Sequence, residues 1–362
     1  NENVLSDHSV LGKFKPMSQL NKTPKKSYIE LNNNEMSSLI KELDESQFRV
    51  QQIQNWVFDH YVETWDAMEN LPIHIRDKLS ARLPLHPLEI NHITDSENAS
   101  TQKILFQTLN GYPIESVLMY DQKRTTVCIS SQVGCAVDCK FCATASMGFI
   151  HNLSTGEMVD QVIHLQRQSK TKITNVVFMG MGEPFLNYRR VIKAAEILNK
   201  KMGFGARRIT ISTAGIVPKI RQMAEENHKY KLAISLNATN ELSRERIMPL
   251  TNTYTLKSLM DSAHYYYQKT RRLITFEYVL LKDINDSPND GERLLVLLES
   301  LPCKVNVIPY NEIGGLYNRP SENTINAFLD SLKHAPFTVT VRWSKGTEID
   351  AGCGQLAVHG DI

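Results

Sequence analysis

The sequence of 362 residues lacks long apolar runs: its uninterrupted ones are short pieces such as LLVLL at 294–298, against the roughly 18 residues that a membrane-spanning helix needs. No charged-then-apolar leader opens the chain, so a soluble, cytoplasmic protein away from membranes is expected. An excess of one charge is lacking too, since 41 Lys and Arg stand against 39 Asp and Glu for a net charge of +2. Such a balance permits RNA as a partner without announcing it, and any nucleic-acid surface has to be a local patch. The six cysteines do not read as a disulfide framework. A chain this long needs no staples, and three of the six crowd together, so reduced thiols are expected. No sequence repeat is visible. The length suits a core domain of about 230 to 260 residues with a smaller one beside it.

What is present is organised around GCAVDCKFCATASMG at 134–148. Cys135, Cys139 and Cys142 fall within eight positions, with no fourth cysteine or histidine near enough in sequence to complete a set of four. Structural zinc and ordinary iron-sulfur centres take four protein ligands. Three thiolates therefore point to an iron-sulfur cluster with one iron left open, the alternatives being a zinc site or simple packing. Gly134 and Gly148 bracket the loop.

Along the chain, 1–27 reads as a polar arm rich in lysine, either solvated or touching RNA. Residues 28–87 carry apolar residues at helical spacing, among them Met36, Leu39, Ile40 and Leu43, then Ile53, Trp56, Val57 and Tyr61, and form a helical accessory domain. A β segment follows at 88–124, with runs at 103–107 and 114–120 about a turn at Asn110 and Gly111. From 125 to 345 apolar β-type runs at 125–131, 173–180, 208–213, 232–236, 273–281 and 304–309 alternate with helical segments. Their starts are marked by Ser154 with Glu157, Ser287 with Pro288, and Ser321. Six βα units and a further strand at 337–343 predict an α/β fold, a partial (β/α)6 barrel with its helices outside. The last segment, 346–362, holds Cys353 between two glycines.

In such barrels the chemistry gathers where strands end. Past the second strand lies Gly180-Met-Gly-Glu-Pro184, whose glycines let backbone approach a ligand and whose Glu183 suits an ammonium group. Ser212, Ser235, Asn237 and Asn311 close later strands. Singly, each is more often a cap or turn residue, but together they make a ring of hydrogen-bonding groups. Cys128 and Cys353 are core residues or working thiols; Cys303, in an apolar setting, reads as core.

These motifs together, VCISSQVGCAVDCKFCATASMGF (127–149), FMGMGEPFLN (178–187), RRITISTAGIVP (207–218), LAISLNA (232–238), NVIPYN (306–311) and IDAGCGQL (349–356), resemble the radical S-adenosylmethionine (SAM) enzymes that methylate carbon 2 of adenine in 23S ribosomal RNA and transfer RNA. The resemblance implies a [4Fe-4S] cluster on Cys135, Cys139 and Cys142, and two SAM molecules per turnover. It places SAM contacts at Gly182, Glu183, Ser212, Ser235, Leu236, Asn237 and Asn311. It also implies methylation of Cys353, a Cys128–Cys353 disulfide, and Glu115 as proton acceptor, a residue that read alone is an exposed strand carboxylate. Further implications are action at the peptidyl transferase centre and beside the anticodon, a flavodoxin- or ferredoxin-like electron donor, and a monomer. Asn237 departs from the histidine usual in the family but keeps a group for the ribose. A sister activity methylates carbon 8 of the ribosomal adenine and confers antibiotic resistance; Pro184 and the FLN after it favour carbon 2. Two further alternatives are a radical SAM enzyme acting on something other than RNA and a non-enzymatic RNA-binding metalloprotein. For RNA, the expected patches are Arg189 with Arg190, Arg207 with Arg208, Arg271 with Arg272, and the N-terminal lysines.

Overall fold

The computed structural model describes residues 26–358, so all of the polar arm except Lys26 and Ser27 lies outside the described residues. Three helices come first, α1 (Asn33–Glu42), α2 (Phe48–Phe58) and α3 (Ile73–Arg82). Asn32 starts α1 by accepting the Asn34 and Glu35 N–H groups, while the Glu35 side chain returns to the Asn32 N–H, which closes a reciprocal cap. Met36 and Ile40, Ile53 and Val57, and Ile75 and Leu79 are buried pairs four residues apart, so each helix turns one apolar stripe inward. Tyr28 meets Trp65 edge to face at 5.2 Å in the same core.

Strands β1 (Leu88–Asp95), β2 (Thr101–Thr108), β3 (Pro113–Asp121) and β4 (Arg124–Cys128) form an antiparallel meander. A two-stranded ribbon, β5 (Gln132–Gly134) and, after the short α4 (Ala143–Ser146), β6 (Phe149–Asn152), frames the cysteine loop. The alternation follows in order as α5 (Thr155–Gln168), β7 (Asn175–Phe178), α6 (Tyr188–Lys200), β8 (Ile209–Thr213), α7 (Val217–Glu225), β9 (Lys231–Ser235), α8 (Glu241–Ile247), α9 (Leu256–Thr270), β10 (Ile274–Leu280), α10 (Pro288–Leu298), β11 (Cys303–Pro309), α11 (Glu322–Ser331) and β12 (Thr338–Val341). Ten strands make one sheet in the order β1-β2-β3-β4-β7-β8-β9-β10-β11-β12, parallel from β4 onward. β4 continues the meander on one side and starts the parallel barrel on the other, and the sheet stays open between its edges β1 and β12. The expected partial barrel is therefore present, with β4 and β7 to β11 as its βα strands and β12 as the additional one.

Along β8, Ile209, Ile211 and Thr213 are buried while Thr210 and Ser212 are partly exposed. This period of two puts apolar residues against the helices and polar ones into the barrel lumen. The starts expected at Ser154, Ser287 and Ser321 are helix caps, each hydroxyl accepting a backbone N–H three residues on.

His86, between α3 and β1, joins the helical unit to the barrel. Its Nδ1 lies 2.6 Å from Asp160 Oδ1 on α5, and its Nε2 donates to Val62 O at 2.8 Å. Burial pushes the Asp160 carboxyl up, but the His86 and His164 imidazoles outweigh it and hold the group at about 2.

Candidate active site

The cysteine loop is closed at its neck by Cys135 N–H donating to Gly148 O at 2.8 Å. Gly134 makes this possible: its φ is +67°, and a Cβ there would stand 1.8 Å from Gly148 O, so no residue with a side chain fits. Lys140 N–H donates to Ile247 O at the end of α8, and Ala143 N–H to Gly354 O, which docks the loop between the barrel and the C-terminal segment. Burial pushes all three thiols up, Cys135 to about 12, and the charge of Cys142 adds to this at Cys135 and Cys139. Three thiols on one loop, with no fourth cysteine or histidine beside them in sequence, suit a cluster that leaves one iron open better than a structural zinc site, which takes four protein ligands.

Glu183 faces this loop. Its carboxylate accepts N–H bonds from Phe185 at 2.9 Å and Ala214 at 2.7 Å, which fixes its orientation. Burial pushes it up to about 7 against those two donors, and its charge reaches Cys135 and Cys139. An ammonium group brought between Glu183 and the cluster loop would restore its ordinary ionisation. The glycines beside it serve packing first: a Cβ on Gly182, whose φ is +92°, would meet Gln132 Cβ at 2.4 Å, and one on Gly180 would meet Ser130 Oγ at 2.8 Å.

Ser212 and Ser235 are partly exposed on the lumen side of the ends of β8 and β9. Leu236 is fully buried, and its backbone is engaged within the fold, its N–H donating to Glu277 O at 2.9 Å and its carbonyl accepting Ala238 N–H at 2.8 Å. Asn237 has a structural task. At φ +56°, its Oδ1 accepts Val279 N–H at 2.9 Å, so the amide oxygen pins the β9 and β10 ends, while its Nδ2 has only the weak Met248 Sδ acceptor at 3.3 Å. Asparagine suits this role because it tolerates the left-handed conformation. Asn311 Nδ2 donates to Ser344 Oγ at 2.7 Å and Cys353 O at 3.0 Å, and thereby holds the Cys353 turn.

That turn, with Gly354 at φ +84°, leaves Cys353 exposed as a residue, while the protein around its thiol pushes it up to about 11. Cys128 ends β4 and is half-buried. Burial and the nearby Cys353 push its thiol up to about 12, against Arg342 and the Met179 N–H. The chain thus brings together, beside the cluster loop, two thiols separated by more than half its length. Cys303 is buried, as expected of a core residue.

Glu115 is not an exposed strand carboxylate but 5% exposed. It pairs with Lys103 Nζ at 3.1 Å and accepts Ala357 N–H at 3.1 Å, and burial pushes its carboxyl up against both partners. Val117 pairs with Cys128 across β3 and β4, so Glu115, two residues from Val117, shares the face that carries Cys128.

Arg244 on α8 carried no signal in the sequence, where it sits in an ordinary charged run. It is 1% exposed and donates to Ala214 O at 2.7 Å, Leu236 O at 3.1 Å, Ser235 O at 3.3 Å and Thr251 Oγ1 at 2.8 Å. One guanidinium therefore gathers the ends of β8 and β9 next to the cluster loop, and its charge reaches Cys139. Of the arginine pairs, Arg189 and Arg190 are exposed at the start of α6 on the site's side of the barrel, with Arg190 Nη1 donating to Asn152 O at 3.1 Å. Arg207, Arg208, Arg271 and Arg272 lie before β8 and β10, at the opposite end.

Residues 129–291 match the family model of the Radical SAM superfamily, and residues 28–84 that of the ribosomal RNA large subunit methyltransferase N-terminal domain. A probable dual-specificity RNA methyltransferase RlmN of Carboxydothermus hydrogenoformans is 40% identical over 334 residues, which cover 91% of this chain and 98% of that one. One bearing the same description, from Thermotoga maritima, is 41% identical over 333 residues, 91% and 97% of the two chains. The crystal structure of a radical SAM methyltransferase from Sphaerobacter thermophilus superposes with a TM-score of 0.88 at 42% identity, over 92% of this chain and 99% of that chain. Likeness of this extent, over both the helical unit and the barrel, shows that the chain belongs to the RlmN family of radical SAM RNA methyltransferases.

Proposed function

We propose that this chain methylates carbon 2 of adenine in 23S ribosomal RNA and in transfer RNA, using Cys353 as the methyl carrier and Cys128 as the group that releases the product. The supporting observation is the meeting of these two thiols beside the three-cysteine loop, with Cys353 close enough for its charge to bear on Cys128. Cys135, Cys139 and Cys142 would hold a [4Fe-4S] cluster by three ligands, and Glu183 the SAM ammonium group. Carbon 2 lies between two ring nitrogens and is electron-poor, so it cannot attack a methyl sulfonium as an amine or thiolate does.

Cys353 thiolate instead takes the methyl group of one SAM by displacement, forming an S–CH3 bond as the sulfonium bond breaks. When bound, the cluster and a second SAM supply the one-electron chemistry that removes a hydrogen atom from this methyl group. The methylene left on Cys353 adds to carbon 2, and Glu115 takes the proton displaced there, helped by the burial that raises its basicity. Cys128 thiolate then attacks the Cys353 sulfur: the S–S bond forms, the S–C bond breaks, and the released carbon takes a proton to complete the methyl group. One electron is left over, matching the one supplied. The disulfide needs external reduction before another cycle.

Mass spectrometry of RNA treated with the reconstituted enzyme tests this reading. Wild type is expected to yield 2-methyladenosine, Cys353→Ala no methylated base, and Cys128→Ala a covalent protein–RNA adduct. Formation of 8-methyladenosine selects the sister activity, and normal turnover by both variants overturns the two-thiol route.

A further inference from the structure

Glu277, Asn306 and Thr340 stand in one row across β10, β11 and β12. Thr340 Oγ1 donates to Asn306 Oδ1 at 2.6 Å, and Asn306 Nδ2 to Glu277 Oε1 at 3.0 Å. The row fixes one carboxylate oxygen of Glu277. The other, Oε2, is buried without a partner on a residue 6% exposed, an expensive state for a group with no ligand to meet.

Arg342 follows β12, its backbone N–H held by Val307 O. Its side chain reaches across the lumen to Met179, where Nη1 lies 3.9 Å from the thioether sulfur. A thioether is a weak acceptor, so the guanidinium keeps donors to spare. Glu277 and Arg342 form no salt bridge with each other among the described residues. Both charges nevertheless bear on the Cys353 thiol, and that of Arg342 on Cys128 as well. A free acceptor and free donors thus flank the sulfur from which the methyl carbon is delivered.

Resting on the function proposed above, we infer that Glu277 and Arg342 read the Watson–Crick edge of the target adenine, Glu277 accepting a hydrogen bond from the N6 amino group and Arg342 donating to N1. Around the ring the order is N6, N1, carbon 2, so a base held by this edge presents carbon 2 next to the Arg342 contact, on the side of the two thiols. Guanine fails at both points: it turns an acceptor toward Glu277, an N–H toward Arg342, and an amino group sits where carbon 2 must react. The adenine of SAM has the same edge, but SAM has to direct its methyl group at Cys353, which favours the RNA base as occupant.

The test uses reconstituted enzyme and a synthetic RNA hairpin with adenosine or purine riboside, which lacks N6, at the methylated position. Wild type is expected to prefer adenosine by about 10- to 150-fold in kcat/KM, the worth of one hydrogen bond to a charged group. In Glu277→Leu the preference falls at least tenfold. Glu277→Gln, which retains an acceptor and a partner for the row, falls in between with iron content equal to wild type. Intrinsic base reactivity cancels in the ratio of ratios, and a merely structural role lowers both substrates alike. An unchanged ratio in Glu277→Leu overturns the inference. So does a raised KM for SAM in RNA-free methylation of Cys353 with base discrimination intact, which would assign the pair to the adenine of SAM. Failure of wild type to form 2-methyladenosine would instead refute the underlying function, before any variant is compared.

Discussion

Replacing Gly134 by alanine tests how the cluster loop is closed. At φ +67° a residue with a Cβ pays about 1–2 kcal/mol. That Cβ would also stand 1.8 Å from Gly148 O, and moving the oxygen away breaks the 2.8 Å bond from Cys135 N–H, for a further 0.5–1.5 kcal/mol or so. The sum, about 1.5–3.5 kcal/mol, disfavours the closed loop roughly 10- to 400-fold. Gly148→Ala is the matched control, since its φ is +64° and a Cβ there has nothing within 4 Å, leaving the backbone strain alone. Iron and sulfide per chain after anaerobic reconstitution at limiting iron, together with the alkylation rate of the three cysteines, are the readouts. Gly134→Ala should take up clearly less iron and alkylate faster than Gly148→Ala, with little change in Tm for either. Equal iron uptake by the two variants would refute the steric argument.

Other outcomes follow from the same geometry. Asp160→Asn breaks a buried charged pair and should cost about 3–5 kcal/mol in denaturant titration at pH 7. Because the native Asp160 carboxyl sits at about 2, below the ordinary 3.8, its pH-linked contribution is complete above pH 3.8 and is lost as pH falls through 2; the gap between wild type and variant should narrow by about 2.5 kcal/mol in that window, and a gap independent of pH would rule the ion pair out as its cause. Arg244→Met removes four hydrogen bonds at the ends of β8 and β9 and should weaken SAM binding at least tenfold by equilibrium dialysis. Arg244→Lys should not rescue it, because an ammonium group cannot span that fork. Cys303→Ala should methylate RNA at the wild-type rate, with a stability loss of about 1–2 kcal/mol in thermal unfolding; a loss of turnover would show that three thiols outside the cluster take part.

The sequence made local features legible and hid long-range ones. The cluster loop could be read because its ligands are a few residues apart, and the capped helices because a cap is decided within one turn. Strand β1 was not read: its register shifts between Ile90 and His92, and the bulge breaks the alternation that marks a half-buried strand. Arg244 looked like any helix-surface arginine, since its acceptors are carbonyls that only the tertiary fold brings near. The His86–Asp160 contact, 74 residues apart, left no trace of its own. The hold of Asn237 on Val279 N–H was not legible either, since it rests on how the ends of β9 and β10 meet.

The segment that carries Cys353 closes over the cysteine loop by Ala143 N–H to Gly354 O, Thr144 Oγ1 to Leu356 O, and Ala357 N–H to Glu115. Thr144 and Leu356 are 212 residues apart, so the ribosome makes the loop long before it makes its cover. During synthesis the three cysteines emerge before the segment that closes over them, and Cys353 is added with that segment. Chain order therefore sets an order of closure: the loop exists as an open turn before the segment that covers it has been made.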